Sequence, residues 1–87
     1  MPRISVLMGA YNCADTIGQS IESIQMQTIT DWEMIICDDG SSDNTIEVVK
    51  EYQKNDKRII LIQNDKNRGL SYTLNHCLEF AKADYCA

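Results

Sequence analysis

The sequence has one proline, one tryptophan, one phenylalanine and one histidine, and its longest strictly aliphatic run is the four residues Ile59 to Ile62. A membrane-spanning helix needs roughly 20 apolar residues, so no part of this sequence reads as one. Met1-Pro2-Arg3 leads into only five mainly apolar residues before Gly9, too few for a signal-peptide core. Paired cysteines are also missing. Cys13, Cys37, Cys77 and Cys86 contain no C-x-x-C, and His76, beside Cys77, has no further ligand at zinc spacing. Three of the four lie in apolar segments, where a free thiol serves as a small core group, so a reducing compartment is expected rather than a disulfide framework. Positive charge is scarce: 8 Lys and Arg stand against 13 Asp and Glu, for a net charge of -5, and no basic cluster exceeds Lys57-Arg58. Binding along a nucleic-acid backbone is thereby excluded. The glycine signatures of dinucleotide and P-loop phosphate cradles are absent too, since Gly9-Ala10-Tyr11-Asn12-Cys13 stands where they would have to be.

What is present is a regular alternation of apolar runs and polar turns over 87 residues, with 44% hydrophobic and 24% charged residues, a composition that folds. Ile4 to Met8 reads as a buried strand ended by Gly9. Asp15 or Thr16 then caps a helix, with Thr16 and Gln19 at capping-box spacing and Ile17, Ile21, Ile24 and Thr28 on one face. Trp32 to Cys37 is a second strand that stops at the turn formers Asp38-Asp39-Gly40-Ser41-Ser42. Asp43 or Asn44 caps a second helix whose buried stripe takes Ile46, Val49 and Tyr52, with Val48 at its margin. Ile59 to Ile62, without polar alternation, suits a parallel strand covered on both faces. Leu70, Leu74, Cys77, Leu78 and Ala81 follow at helical spacing, and Asp84-Tyr85-Cys86-Ala87 opens a fourth strand. The order β-α-β-α-β-α-β implies right-handed crossovers and an α/β fold: a parallel twisted sheet with helices on both faces. In such a sheet the loops at the carboxyl ends of the strands share one edge, where ligands bind. That brings Tyr11, Asp38-Asp39 and Asn67-Arg68-Gly69 together.

The densest chemistry lies in Asp38-Asp39-Gly40-Ser41-Ser42-Asp43, with three carboxylates in six residues at that edge. An ionised carboxylate there accepts hydrogen bonds from ribose hydroxyls or from the N3-H of uracil, and Asp39 is the candidate; Asx turns and helix caps suffice for Ser42 and Asp43. Tyr11 offers a ring to stack on a base, or is a partly buried loop aromatic. His76 falls between the apolar positions of its helix and reads as a surface residue.

Ile4-Ser5-Val6-Leu7-Met8 with Ala10-Tyr11-Asn12, Ser20-Ile21-Glu22-Ser23-Ile24 with Gln27-Thr28, Trp32 through Asp43, and Asn67-Arg68-Gly69-Leu70-Ser71 occur in an order that resembles a family 2 glycosyltransferase of the GT-A fold. The resemblance covers essentially the whole chain. It implies a Rossmann-like GT-A half, with residues 1–87 as the N-terminal nucleotide-sugar-binding part of an incomplete domain, cut at the fourth strand. It further implies inverting transfer from a nucleotide-diphosphate donor, usually a UDP-sugar, to a glycan or lipid-linked acceptor in polysaccharide biosynthesis. In that family the position of Asp39 contacts uracil and those of Gly9 and Tyr11 line the base pocket; Gly9 departs from the family's usual proline or threonine, which leaves it a backbone contact. Arg68 borders the phosphates, where it compensates their charge or is a solvated turn arginine. The full-length enzyme is expected to use Mn²⁺ or Mg²⁺ through an Asp-x-Asp after the fourth strand, and a catalytic Asp or Glu further on. Neither is in this chain, so no catalytic or metal-binding residue is assigned here and the chain alone is expected to be inactive. The parent is expected in the cytoplasm or at the inner face of the membrane. The unfinished sheet leaves an edge open for self-association. Two rivals remain open: a small nucleotide-binding or regulatory α/β module, and a sugar nucleotidyltransferase, for which Gly9 to Cys13 lacks the Gly-rich, Arg-containing loop.

Overall fold

The computed structural model describes residues 4–27, 31–81 and the strand pairing of 85–86. Four strands and three helices alternate: β1 (Ile4–Ala10), α1 (Ile17–Gln25), β2 (Trp32–Asp38), α2 (Thr45–Asn55), β3 (Ile59–Gln63), α3 (Leu70–Leu78) and β4 (Tyr85–Cys86). The strands form one parallel sheet in the order β3-β2-β1-β4. The chain therefore winds outward from β1 through β2 to β3, then returns past β1 to start β4 on its far side. Right-handed crossovers in opposite directions put α1 and α2 on one face and α3 on the other. Among the described residues no helix is long and apolar enough to cross a membrane.

Each face of the sheet has its own core. Met34, Ile36, Trp32 and Ile59 point to the first, where Ile17, Ile21 and Val49 of α1 and α2 cover them. Ile35 and Cys37 point to the second and meet Cys77 of α3, flanked by Leu7, Ile60, Ile62 and Ala81. All seven residues of β2 are buried, because that strand has a neighbour on each side and helices above and below. β3 sends side chains alternately to both cores, as its unbroken apolar run predicts. It lies at the sheet edge, so only Ile59 is fully buried.

Several local expectations change. β1 runs through Gly9 to Ala10 instead of ending at Gly9, because it pairs with β2 as far as Ala10↔Asp38. The capping box at Thr16 and Gln19 does not form; the Thr16 hydroxyl bonds the Cys13 carbonyl. Helix α2 buries Thr45 and Val49, with Val48 and Tyr52 alongside, while Ile46 stays outside the core clusters. Asn44 makes no side-chain cap, and Asp43 instead accepts the Thr45 N-H at 3.0 Å. Helix α3 differs most. Its buried residues are Thr73 and Cys77, while Leu70 and Leu78 are 68% and 51% exposed. The fourth strand is seen at Tyr85 and Cys86, which pair with Ile4 and Ser5 of β1; Thr28, Asp84 and Ala87 lie outside the described residues.

At the opposite edge of the sheet from the ligand loops, Asp56 binds Arg58 through two guanidinium hydrogen bonds of 2.9 and 2.8 Å and accepts Gln25 Nε2 at 3.1 Å. The Arg58 guanidinium lies 3.8 Å from the centre of the Trp32 ring, so one ion pair joins α1, the α2–β3 turn and β2. The Arg58 hydrogen bonds hold the Asp56 carboxyl down to about 2 against the opposing effect of its burial. Its unfolded value is about 3.9. Because the folded value is the lower one, this contribution to stability is complete above roughly pH 4 and is lost as pH falls toward 2. In urea unfolding curves taken over that range, Asp56→Asn is expected to be less stable than the parent at neutral pH and to lose less on acidification. A residual slope from Asp39, Asp43 and Asp65, whose carboxyls are also held low, should remain.

Candidate functional site

The strand pairing continues past the carboxyl ends of β1, β2 and β3: Asp39 N-H donates to Ala10 O at 2.7 Å, and Asn64 N-H to Asp38 O at 2.8 Å. Three loops leave this edge, at residues 11–16, 39–44 and 64–69. Their backbone N-H groups need partners that no helix or strand supplies, and the polar side chains of the middle loop provide them. The consecutive N-H groups of Asn12, Cys13 and Ala14 donate to Ser41 Oγ at 2.9 Å, Thr45 Oγ1 at 3.0 Å and Asp43 Oδ2 at 3.3 Å. In return Asn12 Oδ1 accepts the N-H groups of Ser42 at 2.8 Å and Asp43 at 3.3 Å. Asn12 holds φ at 49°, a left-handed conformation that asparagine tolerates better than most residues.

The three carboxylates thus have three separate tasks. Asp38, buried at the end of β2, turns back on the N-H and hydroxyl of Ser41 at 2.9 and 2.5 Å. Asp43 ties the first loop to the start of α2. Asp39 holds the third loop: its Oδ1 accepts the Arg68 N-H at 2.7 Å and Asn64 Nδ2 at 2.8 Å, and its Oδ2 accepts the Gly69 N-H at 3.0 Å. Burial, which leaves Asp39 only 6% exposed, would raise its carboxyl. The hydrogen bonds from Asn64 and from the Arg68 and Gly69 N-H groups outweigh it and hold the group below the ordinary carboxylate range. The contact of the two loops also requires Gly40, whose φ is 78°: a Cβ there would sit 2.8 Å from Asn67 N.

Between these loops and α3 lies a cleft of about 280 Å³ lined by Gly9, Ala10, Tyr11, Asp39, Asn67, Gly69, Leu70 and Thr73. Three of the four candidate residues meet here. Gly9 forms part of the floor, where a Cβ would press on Thr73 Cγ2 at 3.2 Å. Tyr11 stands at the mouth, half exposed. Asp39 supplies the ionised acceptor. Arg68 belongs to the loop by its backbone, but its guanidinium is drawn off to Asp65 at 3.0 Å and lies 5.2 Å from the centre of the Tyr72 ring. Among the described residues no three His, Cys, Asp or Glu side chains converge as metal ligands, and the loop carboxylates, each turned onto backbone donors, do not fit a metal site.

Sequence reasoning missed Asn64, Thr73 and His76. Asn64 follows β3 as Asp39 follows β2, a position at the ligand edge that could have flagged it. Thr73 was hidden by the leucines around it. His76 is not a plain surface residue: it is half-buried, with Nδ1 2.7 Å from Asn64 Oδ1.

The family model described as Glycosyl transferase family 2 matches residues 5–87. The chain is 49% identical over 87 residues to EpsE of Bacillus subtilis (strain 168), assigned as a glycosyltransferase, covering 99% of this chain and 31% of EpsE. It is 40% identical over 87 residues to the UDP-Glc:alpha-D-GlcNAc-diphosphoundecaprenol beta-1,3-glucosyltransferase WfaP of Escherichia coli, covering 100% of this chain and 34% of WfaP. Among solved structures, S. aureus TarS 1-349 in complex with UDP superposes with a TM-score of 0.88 at 26% identity, over 97% of this chain and 25% of that one. The mannosyltransferase PcManGT from Pyrobaculum calidifontis, in complex with GDP-Man and Mn²⁺, gives 0.87 at 26% identity, over 93% of this chain and 25% of that one. This chain therefore spans about a third or less of the length of these proteins. Its strands and helices are those of a Rossmann-like half of the GT-A fold. The chain belongs to glycosyl transferase family 2.

Proposed function

We propose that residues 1–87 form the nucleotide-recognition part of an inverting glycosyltransferase that takes a sugar from a UDP-sugar and passes it to a glycan or lipid-linked acceptor in polysaccharide biosynthesis. The observation that carries this reading is the state of Asp39 in the cleft. Its Oδ1 is taken by Asn64 and the Arg68 N-H, while Oδ2, bonded to the Gly69 N-H, keeps capacity for a further donor. One oxygen suits the single N3-H of uracil or a ribose hydroxyl. The paired donors on the edge of guanine would call for both oxygens. Tyr11 at the mouth stacks on the base, and Gly9 meets it through backbone alone. The exposed pair of Arg68 with Asp65 is weak enough to open, which frees the guanidinium for the donor's phosphates.

The WfaP name specifies a UDP-glucose donor and a lipid-diphosphate acceptor, and TarS is known in complex with UDP; both support a uridine donor. The Mn²⁺ that accompanies GDP-Man in PcManGT supports a divalent metal in the whole enzyme. We assign metal and acceptor activation to residues of a longer parent, which we place in the cytoplasm or at the inner face of the membrane.

Calorimetric titration with UDP, GDP and ADP, with and without Mn²⁺, tests the donor class. UDP is expected to bind best, and a preference for GDP would overturn the reading. Asp39→Asn is expected to weaken UDP binding by roughly 1 to 3 kcal/mol, because it removes a charged acceptor. Asp43→Asn, which alters only a loop tether outside the cleft, should cost far less. By itself the chain should release no UDP above background when mixed with UDP-sugars, Mn²⁺ and acceptors, and metal-dependent turnover would place the catalytic groups wrongly.

Among the described residues β4 pairs with β1 at Ile4 and Ser5, and we infer that the 87-residue chain offers the remainder of that edge for pairing. Unpaired backbone at an apolar edge favours strand-to-strand association. Sedimentation of the 87-residue chain is expected to show concentration-dependent self-association. A cooperatively folded monomer at high concentration would speak for the complete small-module alternative.

A further inference from the structure

Asn64 is buried just after β3, and its side chain uses its full hydrogen-bonding capacity. Nδ2 donates to Asp39 Oδ1 at 2.8 Å and to Thr73 Oγ1 at 3.0 Å. Oδ1 accepts the Cys37 thiol at 3.4 Å and lies 2.7 Å from His76 Nδ1. Charge fixes the direction of this chain of contacts. The Asp39 carboxylate, held ionised by its donors, can only accept, so the amide must present its NH₂ there and turn its oxygen away. That oxygen also only accepts, so the His76 nitrogen facing it must carry a proton. The alternative neutral tautomer, with its proton on Nε2, would set two acceptors against each other at 2.7 Å, or flip the amide and aim its oxygen at the carboxylate.

We propose that His76 is a positioning residue for donor recognition: its Nδ1-H locks the Asn64 amide, and the amide in turn fixes Asp39 so that Oδ2 is the oxygen offered to the nucleotide. The proposal rests on the donor-binding reading above. His76 touches no donor, for it lies outside the residues that line the cleft. Its ring is braced between Tyr72, at 6.1 Å between centroids, and Phe80, at 5.7 Å. Cys37 of β2, with Sγ 3.6 Å from Nδ1, and Asp39, through Asn64, are the titratable groups facing it from other elements. Tyr72 and Glu79 share a groove of about 140 Å³ with it on its own helix. A rigid ring, a saturated amide and a charged acceptor make one continuous path from α3 to the cleft.

Nitrogen-15 NMR of the unliganded chain reads the tautomer directly. A protonated Nδ1 is expected at neutral pH, and a dominant Nε2-H form overturns the proposal. His76→Phe keeps a ring but removes the donor; it should raise the Kd for UDP roughly 3- to 10-fold, the equivalent of one hydrogen bond. The same variant should move the Asp39 carboxyl titration, followed by carbon-13 NMR, upward. His76→Asn places an amide N-H near the lost Nδ1-H and should recover most of both effects. If phenylalanine changes neither quantity, or asparagine recovers neither, the positioning role fails. If the unaltered chain binds no UDP, the donor reading falls, while the tautomer and the Asp39 titration still decide the role of His76. Should the phenylalanine variant not fold, the wild-type tautomer and the asparagine variant decide it.

Discussion

The ligand edge of this protein depends on one buried carboxylate. Asp39 binds the backbone of Arg68 and Gly69 and the amide of Asn64, so a negative charge is retained in a nearly dry place with no cationic side chain bonded to it among the described residues. Hydrogen bonds to an ionised acceptor are about twice as strong as neutral ones, which is how three donors offset the desolvation of the group. The same contacts set the position of the third loop. Charge, loop conformation and cleft shape therefore change together, and no one of them can be altered without the others.

Helix α3 makes the cleft possible through residues that look unsuited to a core. Thr73 and Cys77, small and weakly polar, face the sheet, which lets the helix approach β1 closely enough for Gly9 to be its neighbour. The larger Leu70, Tyr72, Leu78 and Phe80 remain exposed. Close approach selects against bulk on the inner face, and the polar atoms of Thr73 find partners in Asn64 and the Gly69 carbonyl at 3.0 and 2.8 Å.

The thiols follow the same logic. Cys37 and Cys77 are free and buried, and desolvation above all pushes the Cys37 thiol up to about 12 and the Cys77 thiol in the same direction. Neither is a nucleophile in that state. They act as small core groups whose weak S-H donors reach Asn64 Oδ1 from Cys37 at 3.4 Å, and the Met8 and Ile35 carbonyls from Cys77 at 3.8 and 3.6 Å.

The sequence by itself determined the element order, the parallel sheet and the edge at which the loops meet, because apolar periodicity and turn residues are local signals that survive without tertiary context. It also marked Asp39 and Tyr11 by their place after strands, while Gly9 was marked only by the family resemblance. Only the tertiary structure decided how the three carboxylates divide their work, since Asp38, Asp39 and Asp43 look alike in a polar run and differ in which loop folds over them. The buried face of α3 was legible at Cys77 but not at Thr73: hydrophobicity ranks Leu70 and Leu78 above Thr73, while the space left above β1 reverses that order. Asn64 and His76 became visible only when the fold brought them to Asp39, for hydrogen-bond geometry between residues distant in the chain leaves no period in the sequence.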